Sequence, residues 1–312
     1  MRVFVTGGTG FIGSVVVKKL IAAGHQVVAL SRSDTSGQAL EATGAEPLYG
    51  TVQDMDVLRR GARGADSVIH MAFRNDFDHY DEAVAEDLAA VREIGSSLVG
   101  SGKPFVITSG TLMVPSLGRF ATEKDEGVMA TPRVAAEREA IELSHHGVRS
   151  SVVRLAPCVH NRERQGIASI LCQIARDKKV SAYCGDGQNR WPAVYLDDAA
   201  DLFCKAMESA PAGTRLHAVG EEAIPLKAVA EAIGHALGIP VTSLSGEEAQ
   251  QHFGWFAGAL SLDNPTSSDF TQKTLSWCPS TRSLIDDIEA FLSEKSKHGK
   301  QRDDNDESHS VS

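Results

Sequence analysis

A glycine turn set between a strand and a helix limits, more than any other feature, what this chain can fold into. Arg2-Val3-Phe4-Val5-Thr6 is a short apolar run of strand type, and Gly7-Gly8-Thr9-Gly10-Phe11-Ile12-Gly13 is a glycine turn. Ser14 to Ala23 then has helical spacing and stops at Gly24. A second β-branched run, Gln26 to Leu30, follows, so the unit is βαβ and its strands are expected to be parallel. Gly8-x-Gly10-x-x-Gly13 spacing arises by chance in loops, but here it lies between strand and helix, the context that gives it meaning. Gly7 and Gly8 allow a sharp turn, Gly10 lets a pyrophosphate approach the backbone, and Gly13 lets the helix lie close on the strand. The helix start then offers free amides and a positive dipole end to phosphates. Thr9, Phe11 and Ile12 complete the expected dinucleotide cradle.

The end of the second strand selects between dinucleotides. A carboxylate there would bind an adenosine ribose and repel a 2′-phosphate; the chain has Ser31 and Arg32 instead, a hydroxyl and a guanidinium suited to a phosphate. NADP(H) is therefore expected rather than NAD(H), the competing reading being that Arg32 is a solvated surface arginine.

The chain has 312 residues, enough for one large domain or two intimately joined ones, and a formal net charge of −10 that disfavours nucleic-acid binding. No apolar stretch reaches membrane-spanning length, and with a strand starting beside Met1 no cleaved signal peptide is expected. Five widely spaced cysteines without a C-x-x-C pair read as reduced thiols, which with the rest implies a cytoplasmic protein. No His/Cys cluster has metal-ligand spacing, so no metal is expected. A homodimer is the oligomeric state left open.

Strand and helix alternate about six times up to Leu155. The third strand is Glu46 to Gly50, leading through Val52 to a helix near Val57 to Arg63; the fourth is Ser67 to Ala72, the fifth Pro104 to Thr108, the sixth Ser151 to Leu155. Long helices are expected over Tyr80 to Gly100 and from Thr131-Pro132 to His146, the latter stopped by Gly147. That periodicity specifies an α/β fold, a Rossmann-type doubly wound parallel sheet, over residues 1–156. Ala72, Phe73 and Arg74, just past the fourth strand, are expected beside the adenosine or its ribose, and Val52 is a further expected coenzyme-binding residue. Beyond Ala156-Pro157 loops lengthen and short helices alternate with short strands, which reads as a smaller substrate-binding part over 157–294, interleaved with the first. Residues 295–312 are polar and expected to be disordered.

Val5 to Gly13, Val68-Ile69-His70-Met71-Ala72, Val153 to His160 and Val194-Tyr195-Leu196-Asp197-Asp198-Ala199-Ala200 together resemble the extended short-chain dehydrogenase/reductases, in their epimerase/dehydratase branch, over nearly the whole folded chain. The resemblance implies a nicotinamide cofactor and, normally, a serine or threonine after the fifth strand followed by a Tyr-x-x-x-Lys pair. Here the tyrosine position falls near Met129, the lysine position on Arg133, and the serine position on Gly110 with Thr111 adjacent. Methionine cannot transfer a proton, so the chain resembles an atypical subgroup lacking the motif.

Arg133 is left to grip ribose hydroxyls or phosphate as the lysine would. His160, in the loop after the sixth strand, is the first candidate acid, weighed equally against a histidine that orients that loop. Thr111 is a positioning donor for a substrate carbonyl; Tyr195, Tyr80, His79 and Arg74 are weaker candidates. Asp186 to Trp191 reads either as a substrate mouth or as a turn with Trp191 in the core, and His252 to Phe256 as an aromatic wall or an apolar plug. The leading function is an NADP(H)-dependent oxidoreductase acting on a small-molecule substrate, a carbonyl, alcohol or activated double bond. A non-redox isomerase, epimerase or lyase with bound NADP, and a catalytically silent NADP-sensing protein, stand beside it.

Overall fold

The computed structural model describes residues 1–74, 79–128 and 133–293. The position of Met129, the Thr131-Pro132 helix start and the tail 295–312 lie outside them. The first half runs β1 (Arg2–Thr6), α1 (Phe11–Ala22), β2 (Gln26–Ser31), α2 (Asp34–Glu41), β3 (Glu46–Tyr49), α3 (Met55–Arg63), β4 (Ser67–His70), α4 (Tyr80–Leu98), β5 (Pro104–Gly110), α5 (Val134–Leu143) and β6 (Arg149–Leu155). The second half has β7 (Cys158–His160), α6 (Ala168–Lys178), β8 (Ser181–Cys184), β9 (Arg190–Tyr195), α7 (Leu196–Ser209), β10 (Thr214–Ala218), β11 (Glu221–Pro225) and α8 (Leu226–Leu237). β12 (Val241–Leu244), α9 (Gly246–Phe253), α10 (Ala257–Leu260) and α11 (Asp269–Leu275) follow, and a last helix, α12, occupies 284–293.

Seven parallel strands form the main sheet in the order β10-β6-β5-β4-β1-β2-β3. The order reverses at β1, between β2 and β4, and that crevice is where doubly wound sheets bind ligands. Because strand side chains alternate, Val3 and Val5 bury on one face against Val16, Val17 and Leu20 of α1 and Phe203 of α7. Phe4 buries on the other, with Leu58 of α3, Val91 and Ile94 of α4 and Ala140 of α5. The sheet is thus covered on both faces, as the near-continuous apolar strands require.

β10 enters this sheet from the second half, pairing with β6 from Thr214↔Ser151 to Ala218↔Leu155. Lys19 of α1 reaches Asp201 of α7 at 2.9 Å, tying the two halves on one face. The remaining strands form two small sheets, β11-β9-β7 and β12-β8. Trp191, Phe253, Phe256, Leu284 and Ile288 share the apolar core of this part. Asp186 to Trp191 is therefore no hairpin: β8 and β9 sit in different sheets, and Trp191 is a buried core residue whose indole N–H donates to the Leu262 carbonyl at 3.0 Å. In the His252 to Phe256 stretch, Phe253 and Phe256 plug the core while Trp255 is exposed.

Candidate active site

The glycine turn is held by packing that leaves no room for side chains. Gly7 has φ +74°, and a Cβ there would stand 2.7 Å from the Ala72 amide nitrogen, so β1 can run this close to the chain leaving β4 only with glycine. A Cβ on Gly13 would meet the Gly7 carbonyl oxygen at 2.0 Å, which forces the first turn of α1 down onto the strand end. The helix opens at Phe11, three residues earlier than the spacing suggested, with Gly10 as its N-cap and no acidic residue in its first turn. The amides of Phe11, Ile12 and Gly13 consequently have no intrahelical acceptors and no competing carboxylate. Thr9 and Gly10 are exposed at the lip. Arg164, on the loop after β7, stacks over the Phe11 ring with its guanidinium carbon 5.2 Å from the centroid.

At the end of β2, Arg32 and Ser33 are exposed, whereas Ser31 is buried. The Ser31 hydroxyl donates to the Ser33 carbonyl at 3.0 Å and lies 2.6 Å from the Ser36 hydroxyl. It pins the turn into α2, where Ser33 and Ser36 form a reciprocal cap. Ser31 thus shapes the site from beneath; Arg32 is the group that faces outward. The nearest acid, Asp34, lies in the first turn of α2, where it complements the helix dipole. Val52 packs against the sheet face formed by Phe4, Val28 and Leu30.

Beyond β4 the model brings together residues that the sequence scattered. The Arg133 guanidinium lies over the Phe73 ring at 3.9 Å, and Phe73 meets Tyr80 edge-on with centroids 6.1 Å apart. Burial, more than the Asp87 and Asp81 charges and against the Arg133 cation, pushes the Tyr80 phenol above its ordinary range. Beneath runs a buried polar chain. The Ala72 amide donates to Thr6 Oγ1 at 3.2 Å, Thr6 Oγ1 lies 2.7 Å from His70 Nδ1, and His70 Nε2 lies 3.2 Å from Asp87 Oδ1. Asp87 Oδ2 then faces Arg133 Nε at 3.9 Å. Thr6, His70 and Asp87 were not singled out from the sequence as site residues. Asp87 had a signal nonetheless, a carboxylate on the apolar stripe Ala83, Val84, Asp87, Ala90, Val91, Ile94, Leu98 of α4.

The three residues proposed for catalysis do not share a network. Thr111 follows β5 in a tight turn whose carbonyl accepts from Asn264 Nδ2 at 3.2 Å, and its hydroxyl is buried with no hydrogen-bond partner among the described residues. His160 is a strand residue of β7, wholly buried, with Nδ1 2.7 Å from Asp287 Oδ2 of α12 and Nε2 3.8 Å from Glu221 of β11. Its ring meets Tyr195 edge-on. No hydrogen bond or ion pair joins it to Arg133 or Thr111 among the described residues. Ser109, one residue before Gly110, is also committed elsewhere, donating to Glu137 Oε2 at 3.0 Å. Among the described residues no three His, Cys, Asp or Glu side chains converge as a metal site, and no helix is long and apolar enough to cross a membrane. All five cysteines are free thiols; burial pushes Cys158 and Cys204 up to about 12, far from a reactive thiolate.

Comparison with known proteins agrees with this architecture. An uncharacterized protein of Schizosaccharomyces pombe is 45% identical over 289 residues, covering 92% of this chain and 98% of the relative. A 2-alkyl-3-oxoalkanoate reductase of Stenotrophomonas maltophilia is 27% identical over 259 residues, 77% of each chain. The crystal structure of a UDP-glucose 4-epimerase of Thermotoga maritima superposes with a TM-score of 0.72 at 18% identity, covering 96% of this chain and 99% of that one, which shows a shared fold. The family model described as the NAD dependent epimerase/dehydratase family matches residues 3–219. With the reversed strand order, the glycine turn and the bare helix start all in place, the chain belongs to the NAD-dependent epimerase/dehydratase family.

Proposed function

We propose that the protein is an NADP(H)-dependent oxidoreductase that moves a hydride between the coenzyme and a small carbonyl, alcohol or activated double bond. One observation carries the coenzyme choice: β2 is followed directly by an exposed Arg32 that has no ion-pair partner among the described residues, where a carboxylate would select NAD(H). The turn fits the group, since Gly10 is exposed, with only the Gly7 carbonyl oxygen near a Cβ placed on it, and the start of α1 offers amides without acceptors. When bound, the coenzyme supplies or accepts the hydride. The chain's own part is orientation: Gly10 to Gly13 hold the diphosphate, Arg32 the 2′-phosphate, Ala72 and Phe73 flank the adenosine side, and Arg133 holds the nicotinamide ribose. Thr111, whose buried hydroxyl has no hydrogen-bond partner among the described residues, donates to the substrate oxygen. The reductase from S. maltophilia, named for a 3-oxoalkanoate substrate, supports carbonyl chemistry.

Arg32→Glu tests the reading. Calorimetric titration is expected to show NADPH affinity falling at least ~10-fold while NADH affinity holds or improves, as the loss of a charge-assisted phosphate contact implies. Equal loss for both coenzymes would remove Arg32 from the site. A second reading, a non-redox epimerase or lyase, is favoured by the family's breadth; complete substrate conversion with unchanged nicotinamide absorbance would establish it instead.

A further inference from the structure

We propose that the substrate is an uncharged, apolar carbonyl compound, an alkyl or aryl ketone or aldehyde, and that Asp263 sets this preference by neutralising Arg190 at the edge of the substrate crevice. The inference rests on the carbonyl reading above and narrows it. Strand side chains alternate, so β9, which sends Trp191 into the core, turns Arg190 toward the other face, where it is partly exposed. Two hydrogen bonds lead from there to the turn that carries the Thr111 hydroxyl: the Asn264 amide donates to the Arg190 carbonyl at 2.8 Å, and Asn264 Nδ2 donates to the Thr111 carbonyl at 3.2 Å. The chain leaving β5 is stapled to the same segment, since the Ala121 amide donates to the Pro265 carbonyl at 2.8 Å and the Ser267 amide to the Ala121 carbonyl at 2.9 Å. That staple puts the Phe120 ring beside Arg190, whose guanidinium carbon lies 5.8 Å from its centroid.

Two arginines flank Phe120, and each is matched by its own aspartate. Arg190 donates to both Asp263 oxygens, from Nε to Oδ1 at 3.1 Å and from Nη2 to Oδ2 at 2.8 Å, and its backbone amide adds a third bond to Oδ1 at 2.8 Å. Arg119 grips Asp125 in the same forked way at 2.8 and 2.6 Å, and the Thr122 amide and hydroxyl hold that carboxylate at 2.8 and 3.0 Å. The Arg190 hydrogen bonds keep the Asp263 carboxyl below its usual range, so the pair stays charged at neutral pH. An exposed ion pair alone is weak and would yield to an incoming anion. Here each aspartate is also fastened by a backbone amide, so an anionic substrate meets a carboxylate beside each guanidinium. The two pairs cancel, and what the rim offers between them is apolar: Phe120 and Leu262, each 40% exposed. Such a rim gains from every methylene or ring it covers and nothing from a carboxylate.

The test compares matched ketones on the full-length protein with NADPH: 2-octanone against 7-oxooctanoate, and acetophenone against 4-acetylbenzoate, each pair differing by a carboxylate remote from the carbonyl. The wild-type protein is expected to prefer the uncharged member at least ~10-fold in kcat/KM. Asp263→Asn strips Arg190 of its counter-charge and is expected to shift that preference toward the acid at least ~10-fold, and adding Arg190→Gln is expected to shift it back. Phe120→Ser, at an exposed position, serves if Asp263→Asn does not fold; it is expected to raise the KM of the uncharged members at least ~3-fold. Equal or greater kcat/KM for the acids in the wild type, a preference that Asp263→Asn does not move, or an unchanged KM in Phe120→Ser would each overturn the proposal. Should no ketone consume NADPH, the hydride-transfer reading fails, and calorimetry on the same pairs decides the substrate class: tighter binding of the uncharged member upholds it, and equal, reversed or absent binding overturns it.

Discussion

His160 shows how one residue's surroundings decide between two chemistries. As a general acid it would have to present a ring nitrogen to the substrate; instead Nδ1 is bonded to Asp287, Nε2 faces Glu221, and the side chain is 0% exposed. Two carboxylates from α12 and β11 converge on it, so its surroundings favour the loop-orienting role, a clasp closing the second half. Burial raises the Glu221 carboxyl above its ordinary range, outweighing the Leu284 amide and the His160 charge that lower it. His160→Gln is therefore expected to cost about 2–4 kcal/mol of unfolding free energy, the penalty of leaving a buried acid short of a partner, while the pH profile of turnover keeps its shape. Loss of turnover by a factor of ~100 or more, with stability intact, is the signature of a general acid and would return His160 to the catalytic site.

At the scale of elements, α5 is fixed to the sheet by charge. Glu137 accepts from Arg154 of β6 at 3.0 Å, from Arg215 of β10 at 2.7 Å and from Ser109 of β5 at 3.0 Å, so one carboxylate ties a helix to three strands. Burial alone would push it up, but the two guanidinium groups hold it below the usual glutamate range. Glu137→Gln leaves the buried Arg154 without its counter-charge and Arg215 with only Glu126 at 3.8 Å, and urea unfolding at neutral pH is expected to show a loss of about 3–5 kcal/mol. A change under about 1 kcal/mol would mean that solvent or other acids compensate. The same elements show what can be read from sequence. β1, the glycine turn and α1 were legible because period and turn chemistry agree there, and the six-fold alternation gave the sheet. α2 was missed because Asp34–Glu41 buries only Gly37 and Leu40, and its start is marked by the Ser33–Ser36 cap rather than by an apolar stripe. The pairings β8 with β12 and His160 with Asp287 join residues far apart in sequence, the latter by 127 positions, and no local pattern encodes such contacts. Arg133 and Phe73 could be named from the sequence; the Thr6–His70–Asp87 chain that runs from the Ala72 amide to Arg133 could not, although Asp87 on the apolar stripe of α4 announced a buried carboxyl.

For the whole molecule, the entry of β10 into the main sheet makes the two halves one cooperative unit, and His217 on that strand gives the unit a pH signature. His217 is fully buried; Nδ1 donates to the Ser267 carbonyl at 2.8 Å, and Nε2 lies 3.4 Å from the Arg154 guanidinium. Burial, aided by the Arg154 charge and opposed by Glu123, lowers it to about 4. An unfolded histidine titrates near ~6.5, so between those values the unfolded chain binds the extra proton and the folded chain does not. Stability therefore falls as pH drops from about 6.5 towards 4, by up to about 3 kcal/mol, and it does not recover below that range, where Glu137 begins to lose its ion pairs. His217→Asn, which retains a donor for Ser267, is expected to flatten the limb between pH 6.5 and 4. Of the three tryptophans, Trp191 and Trp255 pack on Phe256 in the core of the second half, whereas Trp277 is buried in the cluster against β1 and α1, so in a Trp277→Phe background fluorescence follows the second half while far-UV dichroism follows both. Urea transitions at pH 7 and 5 are expected to coincide for the two probes and to shift together. Separate midpoints would show that β10 does not couple the halves, and equal acid slopes for wild type and His217→Asn would show that the buried histidine is not what makes the fold acid-sensitive.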